Sequence, residues 1–254
     1  MTRPNGRAHD ELRPVSMEIG FTHVPDASVL IETGDTMVLC TASASDWLPR
    51  WRKKQAGPDG EPDGWVTGQY AMLPGSTNPR GRRAAKRGKV SGRTREIERL
   101  IGRSLRAVTD LSALGPRSIQ LDCEVLQADG GTRTASITGA WVALVVACGT
   151  LIESGDLEEI PVTDTLAATS CGIVNDEALL DLPYVEDAAA DVDMNIVQTG
   201  SGEFVEVQGT GEEATYTRDQ LDDLLDLADK GIDELIDIQL DALPEHSYYD
   251  SLFE

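Results

Sequence analysis

The sequence predicts an α+β fold, with helices packed on mixed sheets. Three observations lead there. Stretches with strand and helix periodicity follow one another as strands, helix, strand, helix, strands, helix. The stretch 134–153 reads as a helix that is apolar on nearly every side, which requires cover all round. A long C-terminal helix opens on a capping box, Thr217 to Gln220. At 254 residues the chain has ample length for a core. Residues 1–243 read as one domain, and the polar, acidic tail 244–254 is a candidate for disorder.

Taken in order, residues 29–43 predict a β-hairpin, because two apolar runs flank Gly34 and Asp35. Residues 46–64 carry Pro, Gly and mixed charge and predict a mobile loop. Trp65 to Tyr70 predicts a short strand, and two prolines and two glycines then predict a loop. From Thr94 the pattern is helical: Ile97, Ile101, Leu105 and Val108 form one stripe, and Arg95, Arg99 and Arg103 form another. A strand over 118–126 precedes the turn that opens the apolar helix, which stops at Gly155. Residues 166–184 predict two strands joined near Asn175-Asp176, and 193–208 two more joined by 199–202. In the last helix Leu221, Leu224, Leu225, Ala228, Ile232, Leu235 and Ile236 face the core, and a row of aspartates faces solvent.

Composition narrows the function. Hydrophobic residues make up 40% and charged residues 26% of the chain. No run of about 18 uncharged apolar residues is counted and the N-terminus has no apolar signal region, so no membrane association is expected. Cys40, Cys123, Cys148 and Cys171 form no CxxC pair and predict reduced, mostly buried thiols in the cytoplasm. His9, His23 and His246 lie far apart, which argues against a zinc site or a histidine triad. The net charge is −22, yet eleven Lys/Arg and only two acids fall between Arg80 and Arg106. The remainder holds 11 basic and 42 acidic residues, a balance of −31. Such a patch can hold a polyanion while the remaining surface repels it; the plainer reading is a solvated loop and helix face.

Two short motifs carry chemistry. In QADGGTRTASITGA, Gly130 and Gly131 permit a turn with positive φ, Thr132 and Thr134 can cap the helix that follows, and Arg133 adds a fixed charge. A helix N-terminus so equipped suits an oxyanion; the plainer reading is a turn, a cap and a solvated arginine. Arg93, just before the Thr94 helix, gains from the same dipole. In YVEDAAADVDMN, Asp187 and Asp193 lie either side of a small-residue linker that lets them converge. Two carboxylates with water completing the shell suit Mg²⁺. Close aspartates also arise by chance in so acidic a chain, and Asp191 competes for the same role.

These motifs, with HDELRP, KVSGRTREIERLIGRSLRA and VQGTGEEATYTR, resemble the ribonuclease PH family, in order from about residue 6 to residue 240. The resemblance implies a ribosomal-protein-S5-like βαβα fold and a homohexameric ring, a trimer of dimers. It implies a phosphorolytic 3′→5′ exoribonuclease that trims tRNA precursors, and other structured RNAs, from a single-stranded 3′ end. Inorganic phosphate is the co-substrate, and nucleoside diphosphates are released. By the same resemblance Arg93, Gly131, Thr132 and Arg133 bind phosphate, and Asp187 and Asp193 serve catalysis and hold Mg²⁺ or Mn²⁺. Arg80, Arg82 and Arg83 grip the RNA, and Arg99 on the positive helix face joins them. The chain departs from the family at Gly75, where many members carry arginine, and at Gln69, where many carry an acid. Its loop 50–63 is longer than usual. A competing reading is a catalytically silent RNA-binding ring subunit of an exosome-like core. Such a subunit is expected to lose part of the set Arg93, Arg133, Asp187 and Asp193, all present here.

Overall fold

A computed structural model describes residues 3, 5–55, 60–82, 88, 90–211 and 214–252. Two sheets make up the fold. The first has five strands in the order β1-β2-β3-β5-β4: β1 is Val15–Ile19, β2 Ala27–Thr33, β3 Thr36–Ser45, β4 Trp65–Met72 and β5 Ser118–Gln127. Its neighbours are antiparallel except β4 and β5, which run parallel, because the chain returns between them through helix α1, Gly92–Ala107. The second sheet has four antiparallel strands in the order β7-β6-β8-β9: β6 is Leu166–Val174, β7 Glu177–Leu180, β8 Val192–Thr199 and β9 Phe204–Gly211.

Helix α2, Thr132–Glu153, packs against β2, β3 and β5 of the first sheet and β6 of the second. This placement explains its composition: a helix covered by sheets on two sides has no polar face to keep. By length and composition it could cross a membrane, which corrects the count that found no such run; 83% of its most apolar window is buried inside the fold, so it is a core helix. Helix α1 lays Ile97, Ile101 and Leu105 on β4, and Ser91 caps it by accepting from the Thr94 N–H. A one-turn helix α3, Tyr184–Asp187, precedes β8. Helix α4, Arg218–Ala242, covers the second sheet and opens on the expected capping box at Thr217 and Gln220. Its buried Gln239 donates to the carbonyls of Thr138 and Leu166, tying α4 to α2 and β6.

Strand β1 was not anticipated. It lies at a sheet edge, and its half-buried Val15, Met17 and Ile19 alternate with the exposed Ser16 and Glu18 over five residues. The tail also departs from expectation. Residues 247–252 form a 3-10 turn, and Tyr249 is buried in the main core. All four cysteines are free and buried, as read from their spacing. Burial pushes the Cys148 thiol up to about 12.

Candidate active site

Three chain segments far apart in sequence meet at the ends of α1, α2 and β8. They enclose a cleft of about 360 Å³ lined by Arg93, Gly130, Gly131, Thr132, Arg133, Tyr184, Asp187, Asp193 and Asn195, with Met72, Thr77, Asn78, Pro79 and Ala128 completing its wall. Both expected anion-binding segments and both expected aspartates therefore share one space. Asp191 is not among the lining residues; its N–H is held by the Ile173 carbonyl.

Gly130 explains why the segments can meet. It adopts φ +75°, and a side chain there would bring its first carbon within 2.4 Å of the Leu182 carbonyl oxygen and 2.9 Å of the Tyr184 nitrogen. The missing side chain is what lets the anion turn lie against the backbone that leads into α3 and Asp187. Thr36 secures the turn: it donates to the Gly130 carbonyl at 2.7 Å and accepts from the Asp129 N–H at 2.9 Å.

The start of α2 differs from the expected threonine cap. The capping position is Gly131, in the left-handed region at φ +64°, and no side chain caps the helix. Thr134 instead donates to the Gly131 carbonyl, and the Thr132 hydroxyl shares a 2.8 Å hydrogen bond with that of Tyr70. Burial raises the Tyr70 phenol above its usual range. The leading N–H groups of a helix have no intrahelical acceptor, so a start without a side-chain cap suits a bound anion. The threonine reading failed because both hydroxyls have closer partners.

Arg133 is held on two sides. It donates to Gln208 Oε1 at 2.5 Å and lies 3.5 Å from Glu96 Oε1. Glu96 stands on α1 and Gln208 on β9, so a helix packed on the first sheet and a strand of the second position this guanidinium. Arg93 is exposed at the start of α1 and lines this cleft and its neighbour, which also holds Arg82, Ser91 and Thr94. The two clefts share Met72, Thr77 and Arg93 in their walls.

Behind the cleft lies a buried ion network that sequence reading missed. Arg3 donates to both carboxylate oxygens of Glu186, at 3.0 and 2.6 Å, and to the Asp181 carbonyl. Arg13 donates from its backbone and side chain to Asp181 and from Nη1 to the Asp129 carbonyl at 2.5 Å. Arg7 binds the Asp181 carbonyl and is pushed down to about 10 by burial and then by Arg3, which leaves it charged at neutral pH. Burial pushes the Asp181 carboxyl up, but the hydrogen bonds and charge of Arg13, with that of Arg7, outweigh it and hold the group below its usual range. Glu186 is the residue before Asp187, so the N-terminal segment supports both walls of the cleft. No local pattern could reveal this, since Arg3 and Glu186 are 183 residues apart.

Asn195 was also missed, although strand alternation places it on the same face as Asp193. The basic patch is not uniform. Arg103 is bonded to Glu206, and Arg106 lies over the Trp65 ring at 4.2 Å while donating to the Val66 carbonyl. Arg82 lines the second cleft, Arg80 is exposed on the adjoining loop, and Arg99 stands on the exposed face of α1 outside both clefts. Arg83 lies outside the described residues.

The donor set bears on a metal. Among the described residues no three His, Cys, Asp or Glu side chains gather as a metal cluster. Two carboxylates with an amide nearby suit a hard divalent cation that keeps water or substrate oxygens in its shell, and do not suit a closed zinc site.

Residues 11–148 match the description "3′ exoribonuclease family, domain 1", and residues 164–231 match its domain 2. The chain is 54% identical over 248 residues to ribonuclease PH of Bacillus subtilis, covering 96% of this chain and 99% of that one. It is 55% identical over 244 residues to ribonuclease PH of Bacillus velezensis, covering 96% and 97%. Among solved structures, rice (Oryza sativa) Rrp46 superposes with a TM-score of 0.75 at 17% identity, over 94% of this chain and 98% of that one. The Archaeoglobus fulgidus exosome with RNA bound to its active site gives a TM-score of 0.75 at 24% identity, over 92% and 91%. At such identities the structural likeness establishes the fold, which is that expected from the sequence.

Proposed function

The chain belongs to the 3′ exoribonuclease family, with ribonucleases PH as relatives at 54–55% identity, and from that premise we propose how its cleft performs phosphorolytic 3′→5′ cleavage of RNA. The observation that carries the assignment of residues is the meeting of Arg93, Arg133, an α2 start without a side-chain cap, Asp187 and Asp193 in one space.

Phosphorolysis brings an anionic nucleophile against an anionic diester. Fixed cations and oriented N–H groups must therefore surround the attacking phosphate. Arg93 and Arg133 supply the cations, and Gly131, Thr132 and the first turn of α2 supply the donors. Gln208 and Glu96 hold the Arg133 guanidinium in place, so little ordering remains to be done when phosphate binds. An oxygen of the phosphate attacks the phosphorus of the last diester. The bond from that phosphorus to the 3′-oxygen of the penultimate nucleotide breaks. That oxygen takes the proton of the hydrogen phosphate and becomes the new 3′-hydroxyl, and a nucleoside diphosphate leaves. Asp187 and Asp193 would hold Mg²⁺ or Mn²⁺, which when bound accepts charge developing on the leaving oxygen. No side-chain nucleophile is required.

The substrate we assign is the 3′ end of a tRNA precursor or a comparable structured RNA. Arg82 in the adjoining cleft and Arg80 beside it mark the path of the strand, with Arg99 beyond it and Arg83 in the same basic stretch. A homohexameric ring would gather several such patches round one opening. Four buried thiols that are not paired as disulfides fit the reducing cytoplasm. A silent ring subunit is the weaker reading, because the anion and acidic residues are both complete. The test is incubation with a 3′-extended tRNA, with and without inorganic phosphate. Phosphate-dependent release of nucleoside diphosphates is expected; release of monophosphates without phosphate would overturn the reaction.

A further inference from the structure

Tyr184 stands in the cleft wall with 64% of its surface exposed, and Met72, 36% exposed, lines the same space. Large apolar side chains beside a charged cleft mark a place where something apolar is covered on binding. The root of the Tyr184 side chain is firmly placed. Its N–H donates to Asp129 Oδ1 at 3.3 Å, and its backbone is the one that Gly130 approaches so closely. The contact that joins the anion turn to the acidic turn thus also sets this ring at the cleft.

An RNA 3′ end presents a diester and, one ribose away, a flat base. The charged groups of the cleft answer the diester. We propose that Tyr184, in a cleft whose wall also holds Met72, is the platform on which the base of the 3′-terminal nucleotide stacks, which rests on the exoribonuclease reading above. Stacking reads the π-face that all four bases share, so such a platform accepts any terminal nucleotide. That suits an enzyme that must remove each residue it meets. The ring binds and positions; it performs no chemistry.

The test is the affinity of the full chain for a short 5′-labelled single-stranded oligoribonucleotide, read by fluorescence anisotropy without phosphate so that nothing turns over. Ends carrying each of the four bases are compared with an end carrying an abasic ribose. Tyr184→Ala should weaken binding of base-bearing ends by about 5- to 150-fold, the loss typical of one aromatic–base stack. It should leave binding of the abasic end unchanged. Tyr184→Phe should keep wild-type affinity. An equal loss for the abasic end would reveal a structural role and overturn the proposal. Unaltered RNA affinity with a changed mass in light scattering would overturn it in favour of a second copy of the chain covering the ring. A wild-type chain that binds these ends tightly but releases nothing when phosphate is added would count against the reaction and not against the stack.

Discussion

The Arg13 guanidinium clasps both carboxylate oxygens of the buried Asp181, at 2.9 and 2.7 Å, and with its remaining arm holds the Asp129 carbonyl at 2.5 Å. One side chain therefore links the centre of the ion network to the anion turn. Asp181 is 4% exposed and sits at φ +52°, a conformation its contacts must maintain. Asp181→Asn would leave buried arginines without their counter-charge, at a cost of about 3–5 kcal/mol. Urea unfolding should show that loss, and the phosphate KM should rise because the Asp129–Gly130 turn loosens. The pH dependence follows from the sign. Asp181 titrates lower when folded than when unfolded, so its contribution is present above the unfolded value of 3.8 and is lost as pH falls through the folded one. The stability gap between wild type and variant should hold at neutral pH and shrink below about pH 4. A gap that stays constant into acid would show that the carboxylate charge is not what matters.

Arg133 and Arg93 should act on phosphate more than on RNA. Replacing either by alanine removes a charge-assisted hydrogen bond worth about 1.5–3 kcal/mol, or about 10- to 150-fold in phosphate use. Gln208→Ala should cause a smaller rise in phosphate KM, because Arg133 keeps its charge and loses only one of its two supports. Steady-state kinetics with phosphate varied at saturating RNA would measure all three. Unchanged constants in both arginine variants would remove these residues from the site.

For the aspartates the expected result is loss of turnover with the fold preserved. Asp187→Asn and Asp193→Asn keep shape and lose charge, and both residues are partly exposed at the cleft, so stability should change little. Direct Mn²⁺ binding, followed by electron paramagnetic resonance, should weaken in parallel. Retention of both metal binding and activity in either variant would make that carboxylate dispensable.

What the sequence disclosed and what it withheld divide along one line. The hairpin at Gly34-Asp35, α1, α2 and α4 were legible because each is long and its periodicity is local. Arg93, Arg133, Asp187 and Asp193 were legible as motifs. Their supports were not: Gln208 lies 75 residues from Arg133, and Tyr70 lies 62 from Thr132. The expected threonine cap failed for the same reason, since a distant tyrosine competes for the hydroxyl. Arg3, Arg7 and Arg13 drew no reading, because nothing local signals that three arginines will be buried around one aspartate. Strand β1 was missed because an edge strand of five residues, three half-buried and two exposed, carries little pattern.

Neutralising Arg80, Arg82 and Arg83 together should weaken RNA binding and flatten its salt dependence. Each lost contact to a single-strand phosphate lowers the log–log slope by about 0.7. Anisotropy titrations over a range of salt would read the slope, and one identical to wild type would place the strand elsewhere. Arg103 and Arg106, already committed to Glu206 and Trp65, should contribute little to it.

Assembly should also respond to salt, with the opposite sign. A chain of net charge −22 repels its own copies at long range, while apolar contact and local charge pairing act at short range. Screening to about 8 Å at physiological salt removes the first and leaves most of the second. The proposed hexamer should therefore loosen at low salt and tighten at moderate salt, even as RNA binding weakens. Light scattering at micromolar protein across a salt series would follow the mass. A monomer at physiological salt would refute the ring, and the basic patches would then have to hold an RNA end singly. In that case the salt slope of RNA binding should be no steeper than the basic residues of a single chain can account for.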